Sequence, residues 1–571
     1  MSPRNSTVPS AAGLCSVVLA GLLIGCASSP QSPTAAGTPR GGASDALPSD
    51  PTALLLGAEV ALQRRQYREA AQAYVRAAEL SSDETLCEQA TRVAFEHEQW
   101  TLVLAGAERW LELNQTSEEA HRFAAFAGLH LYRIDVAEEH LNFLVESAFI
   151  NPRAGFLALL PQMSAEGSPP ATMGAMQRLV DKYPDLTEAH YSLARAALQS
   201  ENLELAFKHA KRARELGNFW SPAGLLLAQV QLARGDSESG LATAKEVLAQ
   251  DNQDTFRLEY ALMLLQAGKD DEAQTELAGL TKSASTAAVV ERAMADIDFA
   301  LGNRESAKQR YNNLVANGAF VDESWFYLGA IAESRDADDE AMQLYKRVTT
   351  GNLAVPAQSR IARIRAKRDG LKEGLAHLEG FAESRPQYAL AMITARANLL
   401  ANNNDGAAAL RVLDAAIEQY PDSSELQFAR VFQLEKLDRV DAAVAELRRL
   451  VMERPGDPSA TNALGYTLVD RTRQRQEGLK LIEQALTVTP DSGAVLDSMG
   501  WALHRLKRNE EALTYMQRAK SRINDAEVEL HLAEVLLALG RKDDALVALT
   551  DAGKRFPENA DVQQRLKTLT R

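Results

Sequence analysis

Apolar and small side chains recur at spacings of three and four along almost the whole chain, the mark of helices that bury one stripe. Residues 322–355 show the pattern plainly. Trp325, Leu328 and Gly329 share a first stripe, and Ala341, Tyr345 and Val348 share a second, with Glu340 beside it. The polar run Arg335–Asp339 between them has the length of a connector joining antiparallel helices. No strand-like alternation of useful length occurs, so the pattern predicts an all-α chain.

The stripes repeat with a fixed beat. A small residue returns about every 34 positions, at Ala70, Ala137, Ala206, Gly240, Ala273, Ala307, Ala341, Gly374, Ala409, Ala443, Gly478, Ala512 and Ala545. Degenerate members fall near Val103 and Thr172. Two helices that cross tightly need a contact position without a bulky side chain. Proline stands twelve residues after several of these positions, at Pro184, Pro386, Pro421, Pro455, Pro490 and Pro557, where it stops one unit. An acid follows closely, as in Pro421-Asp422 and Pro490-Asp491, and suits the N-terminus of the next helix.

This order of Trp, Leu-Gly, Tyr, Ala, aromatic, Ala and Pro resembles the tetratricopeptide (TPR) consensus, whose period is 34. The resemblance implies a TPR solenoid, a right-handed superhelix of antiparallel helix pairs, over about 52–571. It is strong from 187 and weak over 84–184. The expected organisation is degenerate helical repeats over 51–186, with an irregular segment at 145–175, and a regular array over 187–571. The irregularity is expected from Pro152, Pro161, Gly167, Pro169 and Pro170.

The first residues read as an address. Arg4 precedes a short apolar run from Ala11 to Ile24, too short to span a membrane. Leu23-Ile24-Gly25-Cys26 resembles a bacterial lipobox, which implies a signal peptide over 1–25 and lipidation of Cys26, whose thiol takes the diacylglycerol. Ala27 in place of aspartate implies sorting to the outer membrane. Residues 26–50 are rich in Ser, Pro, Ala, Gly and Thr and are expected to stay disordered, spanning about 27 Å as a coil. Of the three cysteines, that leaves Cys87 as the remaining thiol, expected as a small buried residue.

Charge narrows the choice of partner. The chain holds 62 basic and 77 acidic residues, a formal charge of −15. Nucleic acid needs a basic footprint, so it is not an expected partner. Contact with membrane is expected through the lipid anchor alone. One stretch runs against the balance: Arg360, Arg363, Arg365, Lys367, Arg368 and Lys372, with Asp369. Arg360, Arg363 and Lys367 share a helix face. They are either a cationic site for a partner's carboxylates or a solvated face paired with neighbouring acids.

No catalytic signature appears: no H-E-x-x-H, no G-x-S-x-G and no phosphate-binding loop. The chain is therefore not expected to be an enzyme, and no cofactor or metal is expected. Glu96-His97-Glu98 and Glu138-Glu139-His140 look like metal ligands on paper. Adjacent helical residues diverge by about 100°, so they read as exposed helix residues instead.

By resemblance to TPR arrays, the first helix of each pair lines a groove. In the unit built on Ala512 this places Asp497, Trp501, His504 and Arg505 on one face, with Tyr466, Asp470 and Arg471 in the preceding unit. Trp501 is either a binding anchor, as aromatic residues often are, or a packing residue against the next unit. The stretches Asn462–Thr472 and Leu496–Trp501 resemble the C-terminal repeats of TPR-repeat outer-membrane lipoproteins of the LbcA type. That resemblance implies a periplasm-facing adaptor that binds a carboxyl-terminal processing (S41-type) protease. It would help degrade substrates such as peptidoglycan cross-link hydrolases. The periodicity by itself implies a protein-binding scaffold, which leaves assembly of an envelope complex (polysaccharide export or a pilus) as the alternative.

Overall fold

A computed structural model of the chain describes residues 50–147, 151–280, 287–557 and 559–570. Among the described residues there are 31 α-helices and no strand. Most are 13 or 14 residues long, and consecutive helices pair across short turns. Each small position of the 34-residue beat lies on the second helix of a pair, and each is buried. So are the degenerate members Val103 and Thr172.

Close approach of the two helices explains the beat. In the pair Pro458–Arg471 and Arg475–Val488, a Cβ added at Gly478 would lie 2.5 Å from the carbonyl oxygen of Gly465. A Cβ at Gly465 would in turn lie 2.9 Å from the Gly478 oxygen. The Leu-Gly element of the first helix and the small residue of the second are thus two sides of one contact. The connector expected at Arg335–Asp339 is shorter than that, since the second helix there begins at Asp338.

The described part of 145–175 is not irregular. Helices Pro152–Glu166 and Pro169–Lys182 occupy it. Pro152, Pro169 and Pro170 sit in first turns, where the missing amide hydrogen costs nothing. Asn151 and Ser168 cap those turns through their side chains. Pro161 is tolerated inside its helix.

The chain divides into two compact units. Described residues of Gly128–Ala273 and Val440–Arg571 form one, and those of Gly21–Ala127 and Gln274–Arg439 form the other. Within each unit, a proline corner meets a turn several hundred residues earlier. In the first, Asp491 Oδ2 accepts from the Leu203 amide at 3.1 Å, and the Asp491 amide donates to the Glu201 carbonyl at 3.0 Å. Asn202 Nδ2 donates to the Val488 carbonyl, and Arg522 to that of Ala233. In the second, Asp422 accepts from the Thr101 amide at 2.8 Å and from its hydroxyl at 2.9 Å. Gln99 Nε2 donates to the Gln419 carbonyl at 2.8 Å.

These contacts revise the role expected of the two acids. Asp422 and Asp491 bond to the first turns of the distant helices Trp100–Leu113 and Leu203–Leu216, and Asp491 also meets Arg518 and Arg522 on the later helix Asn509–Arg522. In the Asp422 corner the next helix is capped by Ser423 instead.

Cys87 is fully buried, and burial pushes its thiol up from the ordinary value. No helix among the described residues is long and apolar enough to cross a membrane. Residues 1–25, Cys26 and almost all of the 26–50 linker lie outside the described residues.

Candidate functional site

The residues around Trp501 converge on one buried polar cluster. Trp501 is 7% exposed, and its ring stacks on His531 of the next first helix with centroids 4.1 Å apart and planes 17° apart. The indole N–H donates to Asp470 Oδ1 at 3.0 Å. Arg505 Nη1 reaches the same oxygen at 2.6 Å, while Nη2 donates to the Asp470 carbonyl at 3.1 Å. The Arg505 guanidinium also lies 5.7 Å from the Trp501 ring centre. Asp497 holds His531 Nδ1 at 3.0 Å from both carboxylate oxygens. His504 Nδ1 lies 2.9 Å from Asn509 Oδ1, and the Tyr466 hydroxyl donates to Glu527 at 2.9 Å.

Of the two readings of Trp501, the geometry fits the second: it packs against the next unit. Asp497 and His504 are buried with it. Arg471 is exposed, and Tyr466, Asp470 and Arg505 are half-buried. Those four are the members of this set with accessible surface, and buried Trp501 touches two of them, Asp470 and Arg505.

Charge within the cluster is balanced by proximity. Burial alone would lower His531, but the Asp497 hydrogen bond and the charges of Asp497, Glu527 and Asp470 raise it above the ordinary histidine value. Burial and Glu527 push the Tyr466 phenol up. A raised folded-state value for His531 means that its contribution to stability is fully present below about pH 6.5 and is lost as pH rises through the raised value. Thermal unfolding from pH 6 to 9 should therefore show a decline that His531→Gln flattens. Identical pH profiles for the two proteins would contradict the assignment.

The basic stretch lies on helix Ala354–Arg368. Arg360 reaches Glu333 at 2.7 Å, and Arg363 binds the same carboxylate. Burial would raise Glu333, but the Tyr345 hydroxyl and the two guanidinium groups hold it below the ordinary carboxylate range. Arg360 and Arg363 are thus engaged within the chain, as the paired-face reading expected. Lys367 is exposed. The two His-containing runs are not simply exposed: His97 stacks on Tyr67 at 4.1 Å, and His140 is buried. Among the described residues no group of three or more metal-ligating side chains could hold an ion.

Family models described as tetratricopeptide repeat match residues 174–219, 292–352 and 394–458, and a further one matches 527–559. The fold is that of tetratricopeptide repeats. A TPR repeat-containing protein of Pseudomonas aeruginosa, PA4667, is 34% identical over 214 residues, which is 38% of this chain and 36% of that protein. The chain thus matches about a third of the length of this relative. Among solved structures, a thermophilic TPR protein of Thermus thermophilus is 20% identical, with a TM-score of 0.30, covering 32% of this chain and 98% of that one. Yeast Tom70 is 13% identical, with a TM-score of 0.33, covering 91% and 95%.

The TPR register explains which cluster residues sequence reasoning missed. His531 lies one period after Asp497, on the corresponding turn of the next first helix. Its partnership with Asp497 was therefore open to a reading that paired equal positions of successive repeats. Glu527, one turn earlier, faces Tyr466 from two repeats away, and no repeat rule signals that contact. TPR repeats indicate a protein–protein interaction scaffold.

Proposed function

We propose that the chain is a lipid-anchored scaffold facing the periplasm from the outer membrane. It docks a carboxyl-terminal processing protease and holds substrates such as peptidoglycan cross-link hydrolases beside it. Matches to tetratricopeptide models along the array carry the scaffold part of this reading. The lipobox-like Leu23–Cys26 and the resemblance of the Tyr466 and Trp501 repeats to LbcA-type lipoproteins support the finer part. Mechanism on this reading is effective concentration: two modest sites on one scaffold act together, with no chemistry supplied by the scaffold itself. The half-buried and exposed residues Tyr466, Asp470, Arg471 and Arg505 are its proposed contact set.

One fractionation and capture experiment tests both parts. The native chain should sediment with outer membrane, and Cys26→Ser should move to the soluble fraction. Both forms, captured under mild detergent, should bring down an S41-type protease. An unchanged fractionation of Cys26→Ser sinks the anchor. Recovery of envelope-assembly proteins without any such protease sinks the adaptor and favours an assembly scaffold.

A further inference from the structure

Helix Ala354–Arg368 carries a second charged feature, separate from the pair on Glu333. Arg365 lines an open cleft of about 460 Å³ together with Lys346, Thr349, His377, Gly380 and Ser384. All of these belong to one compact unit. The walls come from the turn that follows the second helix Asp338–Tyr345, from Ala354–Arg368, and from the second helix Leu371–Ser384. The cleft thus includes one second helix and a turn, unlike the first-helix face around Asp470 and Arg505.

The charge in this cleft is one-sided. Arg360, Arg363 and Arg368 on the same helix all hold acids: Glu333 for the first two, and Asp339 and Asp369 for the last. Arg365 and Lys346 make no salt bridge among the described residues. Asp369 feels the charge of Arg365, but its carboxylate is already taken by Arg368 at 2.9 and 3.3 Å. His377 adds no charge at neutral pH: burial first, then Arg365 and Lys346, push it down to about 4. Its Nε2 sits 2.8 Å from Gln358 Oε1. Gln358 Nε2 donates to the Val348 carbonyl at 2.9 Å, which fixes the amide and leaves the histidine hydrogen on Nε2. In a chain of charge −15, two cations converge on a cavity, and none of the described acids bridges them.

We propose that this cleft binds a carboxylate of a polypeptide, carried at its C-terminus or on an acidic side chain. The guanidinium fork of Arg365 matches the two oxygens of a carboxylate, and Lys346 adds a mobile point charge. No internal ion pair has to be broken to admit the ligand. The open cavity leaves room for the residue that bears the charge. The site stands apart from the protease reading, because its test uses peptides and no protease.

Calorimetric titration of the purified full chain decides it. The probes are acetyl-trialanine with a free carboxylate, acetyl-trialanine amide, acetyl-Ala-Glu-Ala amide and inorganic phosphate. Binding of the first or third peptide without binding of the plain amide supports the site and identifies the source of the carboxylate. Arg365→Ala and Lys346→Ala should each weaken binding about tenfold or more. Lys367→Ala, exposed on the same helix but not a wall of the cleft, should leave it unchanged. Gly380 supplies a variant that spares the fold, since a Cβ there meets nothing within 4 Å. Gly380→Glu should fill the cleft with the chain's own carboxylate and abolish binding, and Gly380→Ala should retain it. Absence of peptide binding, equal loss in Lys367→Ala, binding of phosphate alone, or full binding by Gly380→Glu overturns the proposal.

Discussion

Gly478→Val should unfold the pair Pro458–Arg471 and Arg475–Val488, and should cost at least about 3 kcal/mol. Two effects of side-chain addition oppose each other there. Helix propensity favours replacing glycine by either residue, by about 1 kcal/mol for alanine and less for valine. Steric overlap works the other way. A Cβ at Gly478 meets the Gly465 carbonyl oxygen at 2.5 Å and Val469 Cγ2 at 2.7 Å. The oxygen is backbone, so relief requires the helices to separate. Separation strips contacts from Leu464, Leu468 and Ile482, all buried at that crossing. Overlap therefore wins even for Gly478→Ala, with a smaller loss. Gly380→Ala is the internal control, because open space there lets the propensity gain stand alone. Urea titrations followed by circular dichroism should show Gly478→Val destabilised and Gly380→Ala unchanged or slightly stabilised. A Gly478→Val protein as stable as the parent would remove close crossing as the cause of the 34-residue beat.

Trp501→Ala should be the other severe substitution, at about 3–5 kcal/mol. The ring fills the space between first helices Gly493–Arg505 and Ala526–Ala538, where it stacks on His531. Removing it leaves a cavity and exposes the Asp497–His531 pair to water. Its hydrogen bond to Asp470 is the lesser part, about 1 kcal/mol, and Arg505 still satisfies that carboxylate. Trp501→Phe separates the two: it keeps most of the packing and loses the N–H. We expect it to cost well under half as much as Trp501→Ala in the same urea titration. Equal costs would mean that the Asp470 contact, not packing, fixes the ring. Both variants should also weaken capture of a partner that uses Asp470 and Arg505, since the Trp501 ring touches both.

Local architecture was legible because it repeats. The series from Ala70 to Ala545 placed the second helices correctly, including the weak members Val103 and Thr172. What repetition could not show was how a residue is used once two distant segments meet. Asp422 and Asp491 read as helpers of the next helix because they sit just before it. In the fold their carboxylates face first turns that lie 321 and 288 residues away. Arg360 and Arg363 read as a possible docking face, yet Glu333, 27 and 30 residues earlier, occupies both. Residues 145–175 read as irregular because their prolines were counted without position. At the first turn, proline lacks only an amide hydrogen that no carbonyl of the helix would accept, and Pro161 alone of the four prolines lies in a helix interior.

The contacts of Asp422 and Asp491 also bear on how such a chain reaches its folded state. A solenoid held by neighbours alone folds outward from any starting pair, since each new contact closes a short loop. The Asp422 tie encloses a segment of 321 residues. Closing a loop of that length costs about 2 kcal/mol more than closing one of a single repeat, by the logarithmic growth of loop entropy. These ties therefore form last, after the intervening pairs have stiffened and shortened the path between their ends. Pulled from its termini, the molecule passes force through these ties, so the pairs they enclose are shielded until the ties break. For those pairs, the first resistance to tension lies at two carboxylates rather than in the packed stripes.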